Sequence, residues 1–215
     1  KVAALFDEEV NSDIMGVPVH QVNQFAPTMT LGCSISTPAY IASCLNQLKG
    51  AKSLVNSWRK MAVYYVAISG TGQGIIRVLP FSDAPLVRYP VTVQDLQLLK
   101  EGLERLSYLL FKSGALEIYP AIQQFPPLKS FKEIDNIGRI APKRANLTTV
   151  HLFSSCPMGE DIDQCAVNSY GKLHGYTNIY LNDGSILSSS PSVNPQGTIM
   201  ALARRNALKF LESKC

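Results

Sequence analysis

Leucine recurs at positions 96, 99, 103, 106 and 110, at spacings of three and four, and this pattern constrains the fold more tightly than any other in the chain. The spacing puts all five on one stripe of an α-helix, and such a stripe must be buried against something else. Thr92-Val93-Gln94-Asp95 stands ahead of it as a variant capping box, a hydroxyl and a carboxylate placed to satisfy the first free N–H groups. Gly114 follows, where a left-handed residue ends a helix naturally. The expectation is an amphipathic helix from 92 to 114.

Strand signals surround that helix. Met61 to Ile68 is rich in Val, Tyr and Ile and reads as a strand. Ser69-Gly70-Thr71-Gly72-Gln73-Gly74 then leads into Ile75-Ile76-Arg77-Val78-Leu79, and a glycine-rich link between two β-branched runs predicts a hairpin. A phosphate-cradling loop would need a strand-to-helix transition after Gly74, and none follows. Val17 to Phe25 reads as a short strand entering the loop Ala26-Pro27-Thr28, and Ala39 to Leu48 as a short helix behind Pro38. Three prolines between Tyr119 and Leu128 exclude a regular helix or a central strand, and residues 120–146 are expected to cross between lobes.

Composition narrows the class. With 215 residues, 46% apolar and 17% charged, the chain can bury a substantial core, which excludes disordered, collagen-like and coiled-coil readings. The formal charge of +4 comes from scattered Lys and Arg, with no run longer than a pair such as Arg204-Arg205, so nucleic acid is not an expected partner. No apolar run approaches the ~20 residues that span a bilayer. Cys33, Cys44, Cys156, Cys165 and Cys215 are odd in number and sparse, which favours a reducing, cytoplasmic compartment over a disulfide framework. Asn146-Leu147-Thr148 would accept a glycan only in a secreted protein. The chain begins at Lys1 with neither an initiator Met nor a signal segment, and is expected to be a trimmed or partial sequence.

The last third carries the chemistry. Asn178-Ile179-Tyr180-Leu181 is a short apolar run ending in Asn182-Asp183-Gly184, and after a Ser-rich loop Asn194-Pro195 opens a helix expected to run to about Ser213. Asn194 suits the N-cap and Pro195 the first helical position, with Ile199, Leu202, Ala203 and Leu208 as the apolar stripe. Taken alone, Asn194 is a capping residue, and His151, like His20 and His174, a hydrogen-bonded structural histidine. The same helix start would also stabilise negative charge placed against it. His151, Cys156 and Cys165 are competent zinc ligands, but their spacing matches no paired metal-binding device and no fourth ligand is evident, so no metal is expected.

Taken in order, these segments resemble one family. His151-Leu-Phe-Ser-Ser-Cys156-Pro-Met158-Gly159, Tyr170-Gly171-Lys172-Leu173-His174-Gly175-Tyr176-Thr177-Asn178-Ile179-Tyr180, Asp183-Gly184-Ser185 and Val193-Asn194-Pro195 are similar to the C-terminal signature of the glucose–methanol–choline (GMC) oxidoreductases. The match runs from about Leu147 to Phe210. Its Asn-Pro ending resembles the cholesterol-oxidase and fatty-alcohol-oxidase branches, and Asp95 to Tyr119 resembles the long-chain-alcohol side of the family. Ser154-Ser155 stands where the family's turn usually carries Gly.

The resemblance implies an α+β chain. Residues 1–145 would form a substrate lobe, an antiparallel sheet with helices, and residues 146–215 the C-terminal strand and helix of an FAD-binding α/β domain. It implies FAD as cofactor and an apolar or sterol-like alcohol as substrate, oxidised by hydride transfer to flavin N5. His151 would be the base or proton-positioning group, and Asn194 a hydrogen-bond donor to substrate or flavin. Asp183 and Gly184 would approach the ribityl-diphosphate region, and Pro195, Gln196 and Thr198 the pyrimidine side of the ring. No G-x-G-x-x-G follows a strand here, so an N-terminal FAD-binding segment or chain is the expected partner. A non-catalytic scaffold and a lyase that uses flavin structurally are the alternatives; both His151 and Asn194 count against the scaffold, since packing requires neither.

Overall fold

The computed structural model describes residues 1–11, 20–45, 48, 50–139 and 144–213. The chain divides into two compact units, residues 1–147 and 148–215.

Unit 1 is built on a five-stranded antiparallel sheet in the order β2-β3-β4-β1-β7, from β1 (Val2–Leu5), β2 (Gln21–Val22), β3 (Met29–Cys33), β4 (Met61–Ile68) and β7 (Glu117–Pro120). Strand β1, which lies between β4 and β7, is buried on both faces, as Val2, Ala3 and Ala4 are fully inaccessible. Its period of two then splits the core. Val2 and Ala4 join Met29, Leu31 and Ile118 beneath a long helix, while Ala3 joins Met61, Val63 and Tyr119 beneath α1 (Pro38–Leu45) and α2 (Ala51–Asn56). Pro120, which lacks a ladder donor, ends β7 at the sheet edge, where that lack is tolerated.

The long helix is α3, Val93–Lys112, with the expected boundaries. Thr92 Oγ1 accepts from the Asp95 N–H, Asp95 accepts in return from the Thr92 N–H, and Gly114 has φ of 92°. Gly102 lets α3 sit down on the sheet, because a Cβ there would lie 2.3 Å from Val66 Cγ1 and 2.8 Å from Met29 Sδ. A 3-10 segment, Phe131–Arg139, packs on the outer side of α3 through Phe131 against Tyr108 and Phe111. Residues 120–139 and 144–146 thus belong to unit 1 and do not cross between lobes.

Two other expectations are corrected and one is met. Among the described residues, the strand predicted over 17–25 is seen as β2 and stops at Val22, with a turn after it; Val17 and Val19 lie outside the described residues. The helix predicted over 39–48 is seen as Pro38–Leu45, and Asn46 and Gln47 lie outside them. The glycine-rich segment does not turn β4 back on itself, since β4 already pairs with β1 and β3 and has no free edge. Instead β5 (Ile75–Arg77) pairs with β6 (Leu86–Arg88) as a separate two-stranded arm. The glycines serve close approach. A Cβ at Gly70 would lie on the Tyr89 hydroxyl, one at Gly72 on the Pro90 carbonyl oxygen, and one at Gly74 against the Tyr89 ring.

Unit 2 contains one long helix, α4 (Gln196–Glu212), and a short 3-10 turn, Gly184–Ile186. The C-terminal strand expected within residues 146–215 is present, among the described residues, only as single bridges. Lys172 pairs with Tyr180, Leu173 N–H donates to Ile179 O and Leu181 N–H to Gly171 O, and the ribbon is cut short by left-handed Gly171 and Gly175.

Candidate active site

The site builds from three segments of unit 2. In the first, His151 is an exposed residue whose N–H donates to Thr149 Oγ1 (3.3 Å), and the turn after it is made by Ser154 in the left-handed region at φ 64°. That conformation suits Gly and strains Ser, and Ser154 offsets part of the strain by donating its Oγ to Leu187 O at 2.9 Å. Cys156 and Met158 then donate their N–H groups to Ser185 O and Ile186 O. Residues 154–158 are thereby laid along 185–187.

The second segment is Asn182-Asp183-Gly184-Ser185. The Asp183 carboxylate caps the short 3-10 turn by accepting from Ser185 N–H at 2.8 Å. Asn182 Oδ1 accepts from Nδ2 of Asn206, which is 3% exposed on α4, and the Arg205 guanidinium donates to Asn206 Oδ1 at 2.9 Å. Arg205 also donates to Ser169 O and stacks on Tyr170. This link from α4 to the Asp183 turn was not legible beforehand. Asn206 lies among exposed neighbours, and only its burial marks it.

The third segment is the start of α4. Its first turn closes with Ile199 N–H donating to Pro195 O at 2.9 Å, which makes Pro195, with φ of −84°, the cap, and puts Asn194 one residue outside it. Pro195 fits there because a cap needs its carbonyl and not its N–H. The N–H groups of Gln196, Gly197 and Thr198 precede that first bond, and the first turn has no acidic residue. Pro195 is buried, whereas Asn194, Gln196 and Gly197 are exposed. The apolar stripe expected on α4 is largely not buried: Ile199, Leu202 and Ala203 are half-buried, Leu208 is exposed, and the buried residue is Asn206.

Gly184 is where the segments meet. A Cβ there would lie 3.3 Å from Leu152 O, 3.3 Å from Ile199 Cδ1 and 3.6 Å from Phe153 Cδ1. The main chain next to His151, the Asp183 turn and the first turn of α4 therefore converge on a single glycine. His174 keeps a structural role, its Nε2 within 3.0 Å of Gly159 O.

This donor set fits a flavin. A 17-residue helix offers free N–H groups and the positive end of its dipole to an electron-rich ring edge, and above Gly197 no atom lies within 4 Å of where a Cβ would stand. The GMC oxidoreductase family model, which describes the C-terminal domain, matches residues 80–203. The chain belongs to the GMC oxidoreductase family. It is 37% identical to an uncharacterized GMC-type oxidoreductase of Sinorhizobium fredii, over 96% of this chain and 42% of that protein. Among other GMC relatives, a long-chain-alcohol oxidase of Arabidopsis thaliana is 28% identical over 59% of this chain and 19% of its own length. A cholesterol oxidase of Acinetobacter baumannii is 33% identical over 31% and 12%. The chain thus spans about two fifths or less of these relatives. Pyridoxine 4-oxidase from Mesorbium loti, a solved structure, superposes with a TM-score of 0.55 and 18% identity over 86% of this chain and 35% of that one. At that identity the likeness concerns the fold, a mixed α/β chain with antiparallel sheets. No helix among the described residues is long and apolar enough to cross a membrane.

Proposed function

We propose that this chain is the C-terminal, catalytic part of an FAD-dependent alcohol oxidoreductase acting on an apolar or sterol-like alcohol, together with an N-terminal FAD-binding segment or chain. The observation that carries the reading is the convergence at Gly184 of the main chain next to His151, the Asp183 turn and the start of α4. When bound, the flavin supplies the redox chemistry by accepting a hydride from the alcohol carbon at N5.

His151 takes or positions the hydroxyl proton of the alcohol, and Asn194 donates a hydrogen bond that fixes the oxygen. The N–H groups at Gln196 to Thr198 stabilise negative charge at the pyrimidine edge, with Pro195 fixing the helix start. Asp183 uses its side chain to cap its own turn, so the main chain of Asp183 and Gly184 is the part that approaches the ribityl-diphosphate. Val150 and Leu152, both exposed, flank His151 with apolar surface, which suits a hydrocarbon alcohol. The names of the cholesterol and long-chain-alcohol oxidases among the relatives favour the same class.

The test is anaerobic bleaching of the FAD-loaded natural protein by long-chain and sterol alcohols. Bleaching is expected, and His151→Ala should slow it by about 100-fold or more, the usual cost of losing a general base. Absence of bleaching by any alcohol rejects the reading; unchanged bleaching in His151→Ala rejects the role of His151.

A further inference from the structure

We propose that the outer face of α4 is the docking surface for the FAD-binding part of the same protein, which meets it with an apolar surface carrying one Asp or Glu opposite Arg204. This rests on the flavin reading given above, and it names the side of the helix that the partner covers.

Helix α4 packs into its own unit by one narrow side. Asn206 is its buried residue, with Ile199, Leu202 and Ala203 half-buried beside it. At roughly 100° per residue, Met200, Arg204, Ala207, Leu208 and Leu211 succeed one another at spacings of three and four on another side, with Ala201 at its flank. All six are exposed, Met200 by 62% and Leu211 by 60%. Arg204 is the one charge among them. A stripe this wide and this apolar is the pattern of a helix face that packs against another element.

The unit itself has little to cover it with. Its buried aliphatic side chains are Val167, Ile186 and Leu187, a core too small to hold so short a unit together. The Sinorhizobium fredii relative supplies the scale of what else a GMC protein contains: it matches 96% of this chain, and the match takes up 42% of its length.

Arg204 selects the kind of partner. It stands at the middle of the stripe, and its guanidinium has no partner among the described residues, whereas the neighbouring Arg205 is taken up by Asn206 Oδ1 and Ser169 O. A second copy lying antiparallel about a two-fold axis through the stripe would set Arg204 against Arg204, two like charges in an apolar contact. A lipid surface fits no better, because a helix that lies in a membrane interface keeps its cations on the polar face. A protein surface with one carboxylate placed against Arg204 satisfies both the charge and the apolar residues around it.

The test uses the intact, FAD-loaded natural protein with a photoreactive amino acid in place of Leu208. The expected cross-link joins it to a peptide of the same polypeptide or complex that lies outside residues 1–215. Independently, Ala207→Cys should react with a maleimide about 100-fold more slowly than Lys209→Cys, which is exposed on another side of the helix, since reaction then requires the docked surfaces to open. Arg204→Glu should speed the reaction of Ala207→Cys at least about 10-fold by setting like charges against each other. Flavin absorbance identifies the variants that fold. A cross-link from Leu208 to a second copy or to phosphatidylcholine vesicles, or an Ala207→Cys that reacts as fast as Lys209→Cys, overturns the proposal. An unchanged rate in Arg204→Glu overturns the acidic partner. Bleaching by alcohols separates this from the reading it rests on: a protein that bleaches while Ala207→Cys reacts freely loses the docking face alone, and one that shields Ala207→Cys but never bleaches loses alcohol oxidation alone.

Discussion

Ser154 shows how a single residue records a constraint. It stands where the family's turn usually carries Gly, and the structure gives the reason, a φ of 64° that costs a side-chain-bearing residue about 1 kcal/mol. Its hydroxyl contributes a hydrogen bond to Leu187 O. The two effects separate by substitution: Ser154→Ala keeps the strain and loses the bond, whereas Ser154→Gly loses both. Urea unfolding should rank Gly above Ala by about 1 kcal/mol. Equal stability of the two variants would mean that the turn relaxes without strain. His151, Asp183 and Gly184 were legible as candidates because their order along the chain is informative. Asn206 was not, because a buried polar residue on a helix looks like any surface asparagine until its partners, Asn182 and Arg205, are seen.

At the scale of elements, α3 was readable to its caps because everything that defines it is local: leucine spacing, a capping box and a terminal glycine. The β5–β6 arm was misread because strand partnership is not local, and nothing near Gly70 tells that both edges of β4 are already taken. Strands β1 and β3 went unread for a related reason, since short runs buried on both faces lack the alternation that marks a half-exposed strand. Asp95 joins the two elements, capping α3 while holding Thr71 at the base of the arm. Burial disfavours its charge, but N–H groups of Thr92 and Thr71 and the Thr71 hydroxyl more than offset this, so its carboxyl is held below the ordinary carboxylate range. A depressed folded pKa gives stability that is present above the unfolded value of about 3.9 and is lost as pH falls through the folded value. Asp95→Asn should therefore cost about 1–2 kcal/mol at pH 7, and the gap between variant and wild type should narrow below about pH 4. A gap that stays constant down to pH 2 in urea titrations would show that the carboxylate's charge plays no part.

At the scale of the molecule, the two units differ in what they bury. Residues 1–147 enclose two apolar clusters on opposite faces of one sheet, with α3 and α1 as their covers. In residues 148–213 the buried aliphatic side chains are Val167, Ile186 and Leu187, and Val150, Leu152 and Met200 are exposed. The second unit is held together by main-chain hydrogen bonds between turns and by the Arg205–Asn206–Asn182 chain. A unit below about 70 residues with so small a core lies under the size at which burial outweighs chain entropy. A fragment of residues 1–147 should therefore give a sigmoidal urea transition followed by circular dichroism, with a slope in the range of about 1–3 kcal/mol per molar urea. A fragment of residues 148–215 should lose its signal gradually and bind a hydrophobic dye before any denaturant is added. The site proposed around His151 and Asn194 lies wholly in that second unit, so its geometry would then depend on what surrounds it in the intact protein. A sharp transition in the isolated 148–215 fragment would show instead that its turns and hydrogen bonds suffice to hold the site.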